Sequence, residues 1–307
     1  MNGGRADRSG TGTLESPAHA VHGFADSERF GRRLARALRL PWFPVHLHRF
    51  PDGEGLPRVH TPPGSHAILV RSLYDPDAKL VQTVLAADAL RRAGARRVTL
   101  VAPYLPYMRQ DAVFQPGEPI SQRVVGQCLR RAVGRVLTVE AHLHRIPRLN
   151  TVMGRGSRSL SAASVIAERL RRGRGECVIV GPDQESEPWV RAIAGIAGAE
   201  WLVGRKERRS DRTVHVEFPR VPSRSRAVLV DDVASSGATL AAAARTLHRL
   251  GARVIDAVVV HAIFAPGALA RIRRAGVRAI VSCDTIPHPT NGISTVPTVA
   301  QDLAKEL

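Results

Sequence analysis

The sequence predicts an α/β protein in which helices cover both faces of largely parallel sheets. Seven short apolar, β-branched runs support this prediction, at residues 67–70, 98–101, 136–139, 177–180, 227–230, 257–260 and 279–281. Helix-like stretches such as residues 79–93 separate these runs. A run that is apolar along its whole length, rather than at alternate positions, is typical of a parallel strand buried on both sides.

The length of the chain indicates two domains. With 307 residues, 44% of them apolar, the chain exceeds one average domain and can fill two cores. A helix end, a glycine and the next strand recur at residues 89–96 and 246–253, an offset of 157 positions. Either a duplication or the ordinary regularity of α/β proteins explains this recurrence. We expect a disordered tail over residues 1–17, one domain over 18–155 and a second over 156–307.

Composition disfavours several classes of protein. The chain has no apolar run of the roughly 18 residues that a membrane-spanning helix needs, and its start lacks the apolar segment of a secretory signal. Cys128, Cys177 and Cys283 are too widely spaced for a disulfide framework or a zinc site. We therefore expect a cytoplasmic protein without a membrane partner.

The chain is strongly basic, with a formal net charge of +18. Lysine occurs only at Lys79, Lys206 and Lys305, so 42 of the 45 basic residues are arginine. Codon bias and a phosphate-rich partner are both explanations of this excess. The basic residues are spread over the chain and only 4% of residues are aromatic, which disfavours a nucleic-acid platform and favours small phosphorylated ligands.

The most informative motif is residues 228–240, Val-Leu-Val-Asp-Asp-Val-Ala-Ser-Ser-Gly-Ala-Thr-Leu. An apolar strand ends in Asp231 and Asp232, a loop of small and hydroxylated residues follows, and an alanine-rich helix comes next. Small residues allow backbone N–H groups to approach a phosphate, and the helix N-terminus favours its negative charge. The two carboxylates suit ribose hydroxyls or a metal. An ordinary helix cap is the alternative interpretation.

This motif resembles the phosphoribosyl-diphosphate loop of type I phosphoribosyltransferases and of ribose-phosphate diphosphokinases. Further segments resemble the second family, in that family's order: the turn at residues 50–54 (Phe-Pro-Asp-Gly-Glu), the segment at 103–111, which ends in Arg-Gln-Asp, and residues 140–142, 181–183 and 206–208. Each segment is weak evidence alone, because a charged turn or a lone histidine is more often structural. Together and in order they favour the diphosphokinases.

The resemblance implies two type I phosphoribosyltransferase-like domains, a homo-oligomer, and transfer of the diphosphoryl group of Mg-ATP to the C1 hydroxyl of ribose 5-phosphate. It implies ATP binding by Phe50, Asp52, Gly53, Glu54, Arg109 and Gln110. It implies ribose 5-phosphate binding by Arg208, Asp231, Asp232, Ser235, Ser236, Gly237, Ala238 and Thr239. It assigns Mg²⁺ to His142 and Asp183, and transition-state stabilisation to Lys206 and Arg208.

The sequence departs from the best-known members of the family. Ser235 stands where a third aspartate is common, and Glu140 stands where the family has an aspartate. Residues 284–289 look like those of archaeal or divergent bacterial members. Three other functions stay open. One is a phosphoribosyltransferase that consumes the product, which would not need residues 52–54. The others are a non-catalytic regulatory homologue, which we would expect to lack Lys206, and a nucleic-acid-binding protein, which would bind DNA in a salt-dependent way.

Overall fold

The computed structural model describes residues 18–59, 64–143, 145–173, 176–210, 213–219 and 226–307, without the side chains of residues 206–210, 213 and 214. The tail expected over residues 1–17 lies outside the described residues. Among the described residues, no helix is long and apolar enough to cross a membrane.

The first half of the chain forms a seven-stranded sheet in the order β3-β2-β1-β4-β5-β6-β7. Only β2 and β3 pair antiparallel; the other pairs are parallel. The elements are β1 (His19–Phe24), α1 (Glu28–Leu38), β2 (Trp42–Arg49), β3 (Gly55–Arg58), β4 (His66–Val70), α2 (Pro76–Arg92), β5 (Arg97–Val101), α3 (Ser121–Ala132), β6 (Arg135–Val139), α4 (Asn150–Met153) and β7 (Arg158–Leu160).

The second half forms an all-parallel six-stranded sheet in the order β15-β14-β13-β12-β8-β9, and a separate hairpin of β10 and β11. The elements are α5 (Ala163–Arg171), β8 (Cys177–Gly181), α6 (Glu187–Ala197), β9 (Glu200–Val203), β10 (Arg205–Ser210), β11 (Thr213–Glu217), β12 (Arg226–Ala234), α7 (Ala238–Arg249), β13 (Val254–Ala262), α8 (Ala268–Arg274), β14 (Val277–Cys283), β15 (Asn291–Ile293) and α9 (Val296–Leu303).

The predicted α/β class and parallel sheets are confirmed, because each of the seven apolar runs lies within a strand. The charged segment after Val203 contains β10, which pairs antiparallel with β11 to form a hairpin. The domain boundary at 155/156 stays a prediction; β7, just beyond it, pairs with β6 in the first sheet.

The two halves share one apolar core. Leu34 of α1, Ile166 of α5 and Val299 of α9 are all fully buried in a single cluster that reaches both sheets. An ion pair between the buried side chains of Arg135 on β6 and Asp302 on α9 ties the last helix to the first sheet. The halves therefore pack as one body, which fixes the loops of one sheet against those of the other.

The carboxyl ends of the two sheets meet at this junction. His261, near the end of β13, bonds through Nε2 to the carbonyl oxygen of Glu140, which follows β6, at 3.1 Å. Ser72, just after β4, donates its hydroxyl to the carbonyl oxygen of Thr285, just after β14, at 2.5 Å. Ligands of open α/β sheets bind at the carboxyl ends of strands, so this junction is where a site is expected.

Candidate active site

A cavity of about 490 Å³ lies between the two sheets at their carboxyl ends. Ten of the residues singled out from the sequence line it: Arg109, His142, Asp183, Asp231, Asp232, Ser235, Ser236, Gly237, Ala238 and Thr239. Arg109 and His142 come from the first half of the chain and the others from the second. Residues up to 130 positions apart in sequence are thus assembled around one space.

The small-residue loop is held in place by α8 and by the segment just before it. Arg271 donates from Nη1 to the carbonyl oxygen of Ser236 at 2.8 Å, and the Ala265 N–H donates to the carbonyl oxygen of Ser235 at 3.1 Å. The loop leads into the twelve-residue helix α7, whose N-terminus lines the cavity. A fixed turn with a helix N-terminus behind it can bind a phosphate without first paying the entropy of ordering the loop.

Gly237 is required by the shape of this loop. Its φ of +71° lies in the left-handed region, which residues with a Cβ enter at a cost. A Cβ at this position would also lie 2.9 Å from the Ile272 side chain and 3.2 Å from the Ala268 carbonyl oxygen. Glycine therefore lets the loop turn sharply while packing directly on α8.

His142 and Asp232 form the central polar contact of the cavity, with 2.9 Å between Nδ1 and Oδ2. The bond to Asp232 is the main cause that raises the pKa of His142. Burial alone would raise the pKa of Asp232, but the bond to His142 and the positive charges of His142 and Arg109 hold it below its ordinary value. Since Nδ1 makes this contact, a metal bound by His142 would be held through Nε2.

Carboxylates outnumber cations around the cavity. Its acidic residues are Glu140, Asp183, Glu185, Asp231 and Asp232, and its only guanidinium among the described side chains is that of Arg109. In a chain of net charge +18, such a local excess of negative charge is unexpected for a site that takes only anions. The described residues contain no preformed group of three or more His, Cys, Asp or Glu side chains that could hold a metal.

Two residues were not singled out as site residues from the sequence: Glu140, which lines the cavity, and the buried His261, which lies behind Glu140. Glu140 takes a φ of +38°, unusual for a residue other than glycine, and its Oε1 accepts bonds from Ser161 Oγ and the Ala162 N–H, both at 2.7 Å. Burial raises the pKa of its carboxyl group. His261 is buried beside it, and no local sequence pattern distinguishes it from a core histidine.

The other predicted ATP-binding residues lie away from this cavity. Residues 50–54 form the turn between β2 and β3, in which the Glu54 N–H donates to Asp52 Oδ1 at 3.1 Å and Gly53 has a φ of +95°. Phe50 is 40% exposed. Gln110 follows Arg109, but its Oε1 accepts the Ser121 hydroxyl at 2.5 Å and it does not line the cavity.

Lys206 and Arg208 both lie in β10, where they pair with Val216 and Val214 of β11. Their side chains lie outside the described part of the molecule. The roles assigned to them, like the roles of the other site residues, stay predictions.

Comparisons with known proteins agree with this arrangement. Residues 20–133 match the model of the N-terminal domain of ribose phosphate pyrophosphokinase, and residues 157–301 match the phosphoribosyl transferase domain. A ribose-phosphate pyrophosphokinase of Methanopyrus kandleri is 34% identical over 281 residues, which is 90% of this chain and 96% of that protein. One of Thermococcus kodakarensis is 36% identical over 257 residues, 82% of this chain and 89% of that protein.

A solved structure shows the same fold over nearly the whole length. The phosphoribosylpyrophosphate synthetase of Mycobacterium smegmatis superposes with a TM-score of 0.79, covering 94% of this chain and 98% of that one, at 20% identity. Both family models, the archaeal relatives and the cavity built from both halves thus agree, and the chain belongs to the ribose-phosphate pyrophosphokinase family.

Proposed function

We propose that this enzyme transfers the diphosphoryl group of Mg-ATP to the C1 hydroxyl of ribose 5-phosphate, giving 5-phospho-α-ribose 1-diphosphate and AMP. A bond forms between the C1 oxygen and the β-phosphorus, the bond from the α–β bridging oxygen to that phosphorus breaks, and the hydroxyl proton passes to solvent. The observation that carries the proposal is the assembly of the phosphate loop, Asp231, His142, Asp183 and Arg109 around one cavity.

Ribose 5-phosphate would bind in the second half of the chain. Its phosphate would lie on the loop from Ser235 to Thr239, where backbone N–H groups, hydroxyls and the N-terminus of α7 converge. Asp231 and Asp232 precede this loop and would accept hydrogen bonds from the ribose hydroxyls. This arrangement orients the sugar, and orientation supplies much of the catalysis in phosphoryl-type transfers.

ATP would bind at the side of the cavity that the first half provides. Arg109 lines the cavity and can pair with a phosphate or stack on the base. Gln110, Phe50, Asp52, Gly53 and Glu54 would complete the site, but the turn that holds residues 50–54 does not reach the cavity of its own chain. A second copy of the chain would bring that turn to the site.

An exposed apolar patch supports this homo-oligomer. Leu56 on β3, Val81 and Leu85 on α2, and Val124 on α3 are between 44% and 62% exposed, and α2 packs against both β3 and α3. Apolar side chains that lie together on a surface mark interaction sites. The patch includes Leu56 on the strand that follows the turn at residues 50–54. A partner chain that covered the patch would therefore lie next to this turn.

The excess of carboxylates in the cavity fits a hard divalent cation. Mg²⁺ prefers oxygen ligands and keeps several waters, so it needs few protein ligands and would bind through Asp183, His142 and the phosphates of ATP. When bound, the ion neutralises charge on the transferring phosphates. Asp232 would orient His142 for this task through the bond to Nδ1. Lys206 and Arg208 would add positive charge from the hairpin at the moment of transfer.

The direct test is product analysis. Purified enzyme with MgCl₂, ATP and ribose 5-phosphate should release AMP, separated from ADP by ion-exchange chromatography, and equal amounts of a product that a phosphoribosyltransferase can use. AMP release should stop when ribose 5-phosphate is omitted, and Asp231→Asn should abolish it. Formation of ADP would show single-phosphoryl transfer, and use of the diphosphate product without AMP formation would show a phosphoribosyltransferase; either result would overturn the proposal.

We also place the reaction in the cytoplasm. Both substrates are phosphorylated metabolites of that compartment, and the chain keeps its three cysteines as free thiols, which fits a reducing environment. Fractionation of cells with an antibody to the chain tests this placement. Recovery of the protein outside the cytoplasmic fraction would contradict it.

A further inference from the structure

His261 is a buried histidine that joins the two halves of the molecule under the cavity. It lies on β13, is 2% exposed, and pairs with Val233 of β12, the residue after Asp232. One ring nitrogen faces the first half, with Nε2 3.1 Å from the carbonyl oxygen of Glu140. The other stays within the second half, with Nδ1 2.9 Å from the Thr285 hydroxyl.

These contacts assign the tautomer of His261. A carbonyl oxygen can only accept, so Nε2 must carry a hydrogen and donate it to Glu140. Burial is the main cause that lowers the pKa of His261 to about 4, so at neutral pH the ring is neutral and Nδ1 is an acceptor. The Thr285 hydroxyl is also 2.8 Å from the carbonyl oxygen of Val260, so it can donate its hydrogen either to that oxygen or to His261 Nδ1.

The carbonyl group that His261 holds belongs to a strained turn. Glu140 has a φ of +38°, a conformation that persists only where the surroundings fix it. Its N–H donates to the Leu160 carbonyl oxygen at 2.9 Å, and the next N–H, of Ala141, donates to Ser159 Oγ at 2.8 Å. Those bonds come from the first half. The bond from His261 ties the backbone of this turn to the second half.

The turn determines where His142 lies. Only Ala141 separates the strained residue from His142, whose Nδ1 bonds to Asp232 on β12, the strand beside His261. Two bonds thus link this turn to the second sheet, one to Asp232 on β12 in the cavity and one to His261 on β13 beneath it. If the lower bond is lost, the turn can relax and His142 can move relative to Asp232.

We propose that His261 is a positioning residue of the transfer reaction: its Nε2–H holds the Glu140 carbonyl group so that His142 meets Asp232 in the geometry that catalysis needs. The inference rests on the proposed role of His142 in that reaction. A displacement of about 1 Å can cost on the order of a hundredfold in rate, so an indirect role can have a large kinetic effect.

The test compares His261→Gln with His261→Asn. The glutamine amide can place a donor near the position of Nε2 and keep the bond to Glu140, whereas the shorter asparagine amide reaches only toward Thr285. His66→Asn is the matched control, because His66 is also buried, bonds a threonine hydroxyl at 2.8 Å, and lies far from the cavity at the start of β4.

The readouts are kcat, KM for each substrate, and hydrogen–deuterium exchange at the amides of Glu140 and Ala141. His261→Asn should lower kcat about tenfold to a hundredfold with smaller changes in KM and should speed exchange at those two amides. His261→Gln should restore both, and His66→Asn should change neither. Unchanged exchange in His261→Asn, or equal effects from His66→Asn, would overturn the proposal.

A second variant keeps the proposal testable if His261→Asn does not fold. His261→Leu keeps an apolar side chain at this buried position and removes the Nε2–H donor, so exchange at Glu140 should again rise. Unchanged exchange there would overturn the proposal. Full activity of His142→Ala would instead refute the role of His142, whatever the result at His261.

Discussion

His142 Nδ1 lies 2.9 Å from Asp232 Oδ2, although the two residues are 90 positions apart and belong to different sheets. Each is an ordinary residue in its own sheet: a histidine after β6 and a carboxylate near the end of β12. Their contact joins a segment that resembles a metal site to one that resembles a sugar-phosphate site. The proposed mechanism depends on this junction.

Asp232→Asn should weaken the use of Mg²⁺. The amide keeps the size of the side chain but removes the charge that holds His142 as a ligand. Loss of such a supporting carboxylate typically costs about tenfold to a hundredfold in metal affinity. Titration of initial rate with MgCl₂ should show this shift. Asp256→Asn, which removes a buried carboxylate between Arg226 and Arg278 away from the cavity, should leave the Mg²⁺ requirement unchanged.

Lys206→Ala should lower kcat about a hundredfold, on the order of 3 kcal/mol of transition-state stabilisation. Lys206→Arg should also be impaired, because a guanidinium does not replace a compact ammonium group. The exposed Lys305 provides a control, and Lys305→Ala should retain wild-type kcat. A Lys206→Ala enzyme with near-normal kcat would remove the residue from the mechanism.

Gly237→Ala should raise KM for ribose 5-phosphate much more than KM for ATP, because the new Cβ forces the loop away from Ile272 and Ala268. Gly267→Ala is the matched control: Gly267 also caps a helix with positive φ, but a Cβ there meets nothing within 4 Å. Both variants should lose about 1 kcal/mol of stability, and only the first should lose substrate affinity. Equal rises in the KM values for both substrates would show that this loop does not bind ribose 5-phosphate in particular.

Chains carrying Asp52→Ala and chains carrying Asp231→Ala should each be inactive alone and should regain part of the activity when assembled together. This expectation follows because the turn with Asp52 lies outside the cavity that Asp231 lines, so a partner chain must supply it. Chains carrying Arg109→Ala and chains carrying Asp231→Ala would regain activity together only if these two residues act in different chains. Because both residues line one cavity of a single chain, this second pair should show no recovery. No recovery in verified mixed oligomers of the first pair would refute the shared site.

His66 should make the protein less stable in mild acid. Burial, with the positive charges of Arg97 and His19, lowers the pKa of His66 to about 4. Between about pH 4 and pH 6.5 the ring therefore stays neutral in the folded protein, whereas the unfolded chain is protonated there. The stability contributed by the neutral form is complete above about pH 6.5 and is lost as pH falls toward about 4, on the order of 3 kcal/mol. Denaturant unfolding of wild type and His66→Gln across this range should show a flatter curve for the variant. Parallel curves would contradict the prediction.

The α/β class, the parallel strands and the small residues of the loop before α7 follow from the sequence alone. These are local properties: a continuous apolar run needs cover on both faces, and a glycine between serines and a helix allows close backbone approach. The structure places the seven predicted runs in strands and Gly237 at the positive φ that such a loop requires.

Which of these residues meet depends on how the two sheets pack together. The sequence could not show that the carboxyl ends of two sheets face each other, because that depends on the shared core around α1, α5 and α9. That packing brings His142 to Asp232, leaves Asp52 outside the cavity, and gives the buried His261 a bond to Glu140. The residues adjacent in sequence do not reveal such contacts, because the contacts form only when whole helices and strands pack against each other.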